Sequence, residues 1–264
     1  MSMSQPAYLR RKHAIVTGGG RGIGAAIATE LARLGADLTL MGRNRAKLED
    51  HKEKLVKEFG VKILVVECDV SDGDTVTQAF SAASEQLGPV HVLVNNAGQA
   101  SPAPFAEMPR NLWDRMLAVN LTGTSLCAQQ VLPAMMAAKS GRIINIASTA
   151  GLKGYSHMTA YCAAKHGVIG LTRALALETA KLGITVNAVC PGYADTDMTK
   201  SAIDNLITAM GKTQAEARQM ILRIIPRGSL IQPSEVASLV GWLCSPDAAA
   251  VTGQAIAVAG GEVL

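Results

Sequence analysis

The chain has 264 residues, 48% of them hydrophobic and 17% charged, a composition that supports a sizeable buried core and excludes a disordered chain. Its formal charge of +4 comes from 25 basic and 21 acidic residues that are interspersed, so neither a nucleic-acid patch nor a polybasic membrane anchor is expected. The five cysteines are widely spaced, with no C-x-x-C pair or Cys/His cluster, which reads as free thiols in a reducing compartment and gives no metal site.

The opening MSMSQPAYLRRKHAIV has no apolar stretch followed by a cleavage site, and no later run could span a bilayer, so a soluble cytoplasmic protein is expected, residues 1–11 forming a flexible tail. HAIVTG (13–18) reads as a strand, IGAAIATELARLG (23–35) as a helix ended by Gly35, and ADLTLM (36–41) as a second strand. NRAKLEDHKEKLVKEFG (44–60) is a charged helix with Leu48, Leu55 and Phe59 on one side, and VKILVVEC (61–68) a third strand. SDGDTVTQAFSAASEQLG (71–88) is a helix that a capping box from Ser71 to Asp74 would open. VHVLVN, RIINIAS and ITVNAV are further strands between long helices, and SEVASLVGWLC is a last helix leading into the strand AIAVAGG.

These strands are nearly continuous apolar runs, as expected when helices cover both sheet faces. Regular β-α-β succession predicts an α/β, doubly wound, seven-stranded parallel sheet of Rossmann type. No repeat or linker divides the chain, so residues 1–264 are expected to form one dinucleotide-binding catalytic domain.

VTGGGRGIG stands where the first strand hands over to the first helix. Glycine permits a tight turn and lets backbone N–H groups approach a pyrophosphate at a helix N-terminus, which makes Gly18, Arg21, Gly22, Ile23 and Gly24 candidate cofactor residues. An NAD site would usually carry a carboxylate at the end of the second strand to hold the ribose 2′-hydroxyl. That strand ends Gly42-Arg43-Asn44 instead. Arg43 and Arg21 suit a 2′-phosphate through charge-assisted contacts and favour NADP(H) over NAD(H).

TAYCAAKHGVIGLTRALALE places Tyr161 and Lys165 four residues apart, on one face of a predicted helix. Together with TGGGRGIG, CDV (68–70), NNAG (95–98), MLAVNLTG around Asn120, IINIAS ending in Ser148, and PGYADTDM (191–198), this order of motifs resembles the short-chain dehydrogenase/reductase family over nearly the whole chain. The resemblance implies a catalytic tetrad of Asn120, Ser148, Tyr161 and Lys165. It implies that Asp69 and Val70 border an adenine, that Asn95, Ala97 and Gly98 line the adenosine ribose and cofactor floor, and that Pro191, Gly192, Ala194 and Thr196 wrap the nicotinamide; Asn44, at the end of the second strand, is a further candidate cofactor residue. Ala259 stands before the final Gly-Gly where the family commonly has aspartate, and Ala194 replaces a bulkier aliphatic residue.

The expected chemistry is hydride transfer between a nicotinamide and a carbonyl, with Tyr161 as general acid in reduction and base in oxidation. A lysine cation about 4 Å from the phenol is worth roughly 4 kcal/mol at an effective dielectric of 20, enough to lower a tyrosine pKa by about three units. Ser148 would donate to the carbonyl oxygen, and Asn120 would interrupt its helix and hold a water relaying protons to Lys165. His157, His166 and Cys162 are read as bystanders.

Specificity is expected in residues 99–109, 149–158 and a lid over about 193–227, whose Met198, Ile203, Leu206, Ile207, Met210, Met220 and Ile224 would line an apolar pocket. Lys200, Lys212, Arg218, Arg223 and Arg227 would meet the phosphates of a CoA or carrier-protein arm. Within the family, residues 146–198 and IPRGSLIQPSEVASLVGWL resemble the 3-oxoacyl-thioester reductases, especially aromatic-polyketide ketoreductases. NADPH-dependent reduction of a 3-oxoacyl thioester is therefore expected, with oxidation of a hydroxy acid or cyclic alcohol as the alternative and non-catalytic dinucleotide sensing as a remoter one. The helices at 111–138 and 159–181 hold more apolar residues than one buried face requires, and the resemblance, whose cytoplasmic members usually pair these helices into dimers and tetramers, implies a homotetramer.

Overall fold

The computed structural model describes residues 7–263. Seven parallel strands, β1 (His13–Thr17), β2 (Asp37–Gly42), β3 (Ile63–Glu67), β4 (Val90–Asn95), β5 (Gly141–Ile146), β6 (Ile184–Pro191) and β7 (Ala255–Val258), form one sheet in the order β3-β2-β1-β4-β5-β6-β7. The order reverses between β1 and β4, which opens a crevice at the carboxyl ends of those strands where a ligand binds in sheets of this kind. The buried side chains of β1, β4, β5 and β6 are mostly apolar on both faces because helices cover both, with His13, Thr17, Asn95, Asn145, Thr185 and Asn187 as the buried polar exceptions.

On one face lie α1 (Gly22–Arg33), α2 (Arg45–Phe59) and α9 (Pro233–Leu243), which contribute Ile27, Leu31, Leu48, Leu55 and Val240 to a shared core. On the other lie α3 (Gly73–Leu87), α5 (Gly123–Ala138) and α6 (Thr159–Thr179), packed through Phe80, Val131 and Ala176. Each fully buried leucine or isoleucine stabilises the fold by about 1.5–3 kcal/mol. Between α4 (Arg110–Leu117) and α5 one π-helical turn spans Ala118–Thr122, so the predicted helix at 111–138 is interrupted at Asn120, as expected.

Local chemistry differs from expectation at several ends. The first cap of α3 is Asp72, which accepts from the N–H groups of Asp74 and Thr75; Ser71 turns back to Asp69 instead of forming a capping box. A carboxylate at Asp72 reaches two orphan helix donors, which the hydroxyl one residue earlier does not. α1 stops at Arg33, and Gly35, with φ +93°, makes the turn into β2. Residues 1–6 of the predicted tail lie outside the described residues. Residues 7–11 are anchored: Leu9 is buried and bonded to Leu34, and the Tyr8 hydroxyl donates to the Gly241 carbonyl at 2.6 Å.

The predicted lid holds α7 (Asp197–Met210) and α8 (Gln214–Leu222), which pack on each other around Ile203, Ala217, Ile221, Ile225 and Leu230. Its root is pinned on both sides. Tyr193 and Asp195 bond to Ile231, and the Arg227 N–H donates to the Gly260 carbonyl. Of the predicted apolar lining, Ile203 is spent on this small core, whereas Met198, Met210 and Ile224 are exposed. Arg227 is engaged by Glu235 and the Leu230 carbonyl, which removes it from the cations expected to meet phosphates.

Candidate active site

The glycine turn is shaped by close approach. A Cβ on Gly24 would stand 2.2 Å from the Gly18 carbonyl oxygen and 2.4 Å from Asn96 Nδ2. Gly18 and Gly22 adopt φ of +66° and +55°, which side chains rarely tolerate. Asn96 Nδ2 donates to the carbonyls of Thr17 and Gly18, and the Thr17 hydroxyl receives the N–H groups of Asn96 and Ala97. Asn96 and Thr17 thus lock the turn. Sequence reasoning passed over both, although Asn96 lies inside the NNAG motif.

At the start of α1, Arg21 makes no side-chain cap and the first turn has no acidic residue, so its backbone donors face outward. A glycine cradle at such a terminus fits the pyrophosphate of a dinucleotide. Ile23 is half-buried behind the turn, against the α1 core. Above it, a Cβ on Gly22 would meet Thr196 Cγ2 at 3.3 Å, and Arg21 lies 3.5 Å from Asp197, so the first turn of the lid overhangs the cradle.

Arg43 lies 3.8 Å from Asp69, and the side chains of Arg21 and Arg43 are 66% and 69% exposed, free to swing toward a phosphate. β2 ends at Gly42 without a carboxylate. Asn44, expected at the cofactor, caps α2 by accepting from the Lys47 N–H at 3.1 Å. Asp69 is held by Ser71, and its carboxyl sits below the ordinary range, against the cost of burial, through the two Ser71 bonds and the Arg43 charge. Val70 is buried, its carbonyl pressed against Gly123.

Asn95, expected at the ribose, is buried and ties β4 to β5 by donating to Asn145 Oδ1 at 2.9 Å. The next residues do reach the crevice. Ala97 is half-buried and Gly98 exposed, and a Cβ on Gly98 would meet Asn120 Oδ1 at 2.8 Å and Lys165 Nζ at 3.7 Å. Asn120 is fully buried. Its amide donates to the carbonyls of Gln99 and Met116 and accepts from the Gln99 N–H, so its side chain clamps the loop after Gly98.

Ser148 follows β5 and accepts from the Ala150 N–H at 3.1 Å, which fixes its rotamer. Tyr161 and Lys165 occupy the first turns of α6, both buried. Burial pushes the Tyr161 phenol up to about 12 against the downward pull of its hydrogen bond with Ser148. Lys165 Nζ lies 5.7 Å from the Tyr161 ring centre and donates to the Ile146 carbonyl at 2.8 Å. Burial brings Lys165 down to about 8. The expectation that Lys165 would lower the Tyr161 pKa is therefore not met in the free protein: the ammonium faces a β5 carbonyl, and desolvation outweighs attraction.

At the end of β6, the Gly192 N–H donates to the Val258 carbonyl, while Pro191 and Ala194 are buried. Thr196 precedes α7 with its hydroxyl on the Ala194 carbonyl. The bystanders stay apart: His166 is exposed and bonds the Cys162 carbonyl, and His157 is an exposed turn residue with φ +63°.

A crevice with a glycine cradle on one side and a buried phenol and ammonium beside a half-buried hydroxyl on the other defines an oxidoreductase working on a dinucleotide. Residues 12–207 match the family model of the short chain dehydrogenases, and the chain belongs to that family. It is 39% identical over 258 residues to the 3-oxoacyl-[acyl-carrier-protein] reductase MabA of Mycobacterium tuberculosis, covering 98% of this chain and 95% of that protein. Among solved structures, a variant actinorhodin polyketide ketoreductase determined with NADPH superposes with a TM-score of 0.92 at 40% identity, covering 99% of each chain. Levodione reductase superposes with a TM-score of 0.91 at 30% identity, covering 96% of this chain and 98% of the other.

Proposed function

We propose that the protein reduces the ketone of a 3-oxoacyl thioester, carried by CoA or a carrier protein, to the 3-hydroxy product with NADPH. The observation that carries this reading is the grouping of the half-buried Ser148 with the buried Tyr161 and Lys165 at the end of β5. The likeness to MabA and to the actinorhodin ketoreductase supports the substrate class, and the NADPH named with the latter supports the cofactor.

Bound NADPH supplies the hydride. Ser148 donates a hydrogen bond to the substrate carbonyl oxygen and stabilises the charge that develops there. Tyr161, held neutral by burial, delivers its proton to that oxygen. Lys165 steadies the phenolate left behind, and Asn120 holds the loop after Gly98 beside it. Arg21 and Arg43 pair with the 2′-phosphate, and the first turn of α1 takes the pyrophosphate.

Residues 1–264 are read as one catalytic domain of a cytoplasmic homotetramer. Leu177 on α6, 84% exposed, and Met136 on α5 support pairing through these helices. Among the described residues, no helix is long and apolar enough to cross a membrane. The likeness to levodione reductase favours a second reading, in which a cyclic ketone or alcohol is the substrate.

The deciding assay follows oxidation of NADPH and NADH by the purified protein with acetoacetyl-CoA and, in parallel, a bicyclic ketone. Faster NADPH turnover with the thioester is expected; activity on the ketone alone transfers the assignment to the second reading. Tyr161→Phe is expected to lower kcat by about 10²–10⁴ while cofactor binding persists. A protein that only senses dinucleotide shows no turnover to lose.

A further inference from the structure

Glu262 lies in the turn that follows β7, yet its side chain is fully buried. The Tyr155 hydroxyl donates to its Oε1, and Lys153 Nζ approaches the same oxygen at 3.3 Å while also donating to the Glu262 main-chain carbonyl. Because the Tyr155 proton is given to Glu262, the Thr149 hydroxyl donates to the Tyr155 oxygen, at 2.7 Å. The chain of bonds therefore ends at the residue immediately after Ser148.

The second carboxylate oxygen, Oε2, is buried without a hydrogen-bond partner among the described residues. Gly192 leaves it room: a Cβ there would stand 2.7 Å from Oε2 and 3.2 Å from the Cβ of Ala259. Gly192 follows β6 and precedes Tyr193, the root of the lid. Burial, and then the Glu262 charge, push the Tyr193 phenol up. The free oxygen thus lies where the turn after Ser148, the end of β6 and the lid root meet.

We propose that Glu262, oriented by Lys153 and Tyr155, is a specificity site whose Oε2 accepts a hydrogen bond from a hydroxyl carried by the substrate away from its reacting carbonyl. The chemistry selects this ligand. Lys153 balances the Glu262 charge, so the pair is neutral; a substrate carboxylate would face Glu262 and an ammonium would face Lys153. Lys153 and Tyr155 both approach Oε1, and the capacity left on the carboxylate, at Oε2, is that of an acceptor. The proposal rests on the crevice being the site of carbonyl reduction.

The test compares 3-oxoacyl thioesters of several chain lengths, each with and without a terminal hydroxyl, using wild type, Glu262→Leu and Glu262→Gln with NADPH. The readout is the ratio of kcat/KM for the hydroxylated and plain members, which a general loss of activity does not move. A charge-assisted hydrogen bond predicts a ratio of about ten at the best length, expressed in KM. Glu262→Leu should bring it to about one, and Glu262→Gln, a neutral acceptor, should retain part of it. A wild-type ratio near one at every length overturns the proposal, as does an undiminished ratio in whichever variant folds. If no thioester is reduced, the substrate reading fails, and the same ratio on a bicyclic ketone and its hydroxylated analogue still decides the role of Glu262.

Discussion

Lys165 donates to the Ile146 carbonyl at 2.8 Å and leaves its ammonium 5.7 Å from the centre of the Tyr161 ring. Both side chains are buried, and burial moves them in opposite senses, the phenol to about 12 and the ammonium to about 8. Desolvation penalises whichever form is charged, so it holds Tyr161 as a neutral acid and makes Lys165 costly to keep protonated. A neutral phenol is the form that a reduction needs.

Lys165→Met should therefore separate stability from activity. Lowering the lysine from 10.5 to about 8 corresponds to about 3 kcal/mol of destabilisation at neutral pH. Losing the bond to Ile146 returns roughly 1 kcal/mol of that. The variant is predicted to melt several degrees above wild type while turnover collapses. A Tm below that of wild type would count against the burial argument.

Arg21 and Arg43 make only long ion pairs, to Asp197 and Asp69, and both are solvated. Replacing either with alanine is predicted to cost little stability, since exposed pairs contribute about 0–1 kcal/mol. The same changes should weaken NADPH binding by roughly tenfold and leave NADH binding nearly unchanged, because only NADPH carries the 2′-phosphate. Fluorescence titration of both cofactors checks this, and equal losses for the two would refute the assignment of the arginines.

Gly24→Ala should fail by collision. The new methyl would press on the Gly18 carbonyl and on Asn96 Nδ2, the two groups whose bond holds the turn. Overpacking of this kind costs about 1–3 kcal/mol. A fall in Tm together with lost cofactor binding is expected, whereas Gly60→Ala, with nothing within 4 Å but a φ of +67°, should cost stability alone.

Stability should fall on both sides of neutrality. His13, His51 and His91 are lowered by burial from 6.5, so below that pH the unfolded chain takes up protons the folded protein resists, and stability is lost as pH falls. Cys68 and Cys190 are raised by burial from 9.0 to about 11, Cys244 from 9.0 to about 12, and Tyr8 and Tyr161 from 10.0 to about 12. Their contribution is complete below pH 9 and drains away as pH rises through these values. Lys165 works in the opposite sense between about 8 and 10.5, but it is one group against five. Thermal melts across pH should show a plateau between about 6.5 and 9; a Tm unchanged down to pH 5 would rule out the histidine argument.

Much of the molecule was readable because its signals are short-range. Apolar runs located all seven strands, the glycine pattern located the phosphate cradle, and Tyr161 and Lys165 shared a face because four residues make one helical turn. Cap chemistry was less legible: Ser71 and Asp72 are neighbours, and only the backbone path shows that Asp72 meets the helix donors. Asn95 and Asn96 are likewise adjacent, one turned into the sheet and the other onto the glycine turn.

What the sequence determined by itself is therefore the succession of strands and helices, the glycine turn between β1 and α1, and the shared face of Tyr161 and Lys165, each encoded within a short stretch of chain. Only the tertiary structure decided that Lys165 faces Ile146, that Asn120 clamps Gln99, and that Glu262 meets Lys153 across 109 residues of chain. Such pairings depend on how distant segments pack, and the energies that settle them, chiefly desolvation and unmet hydrogen bonds, do not exist until the groups are buried together.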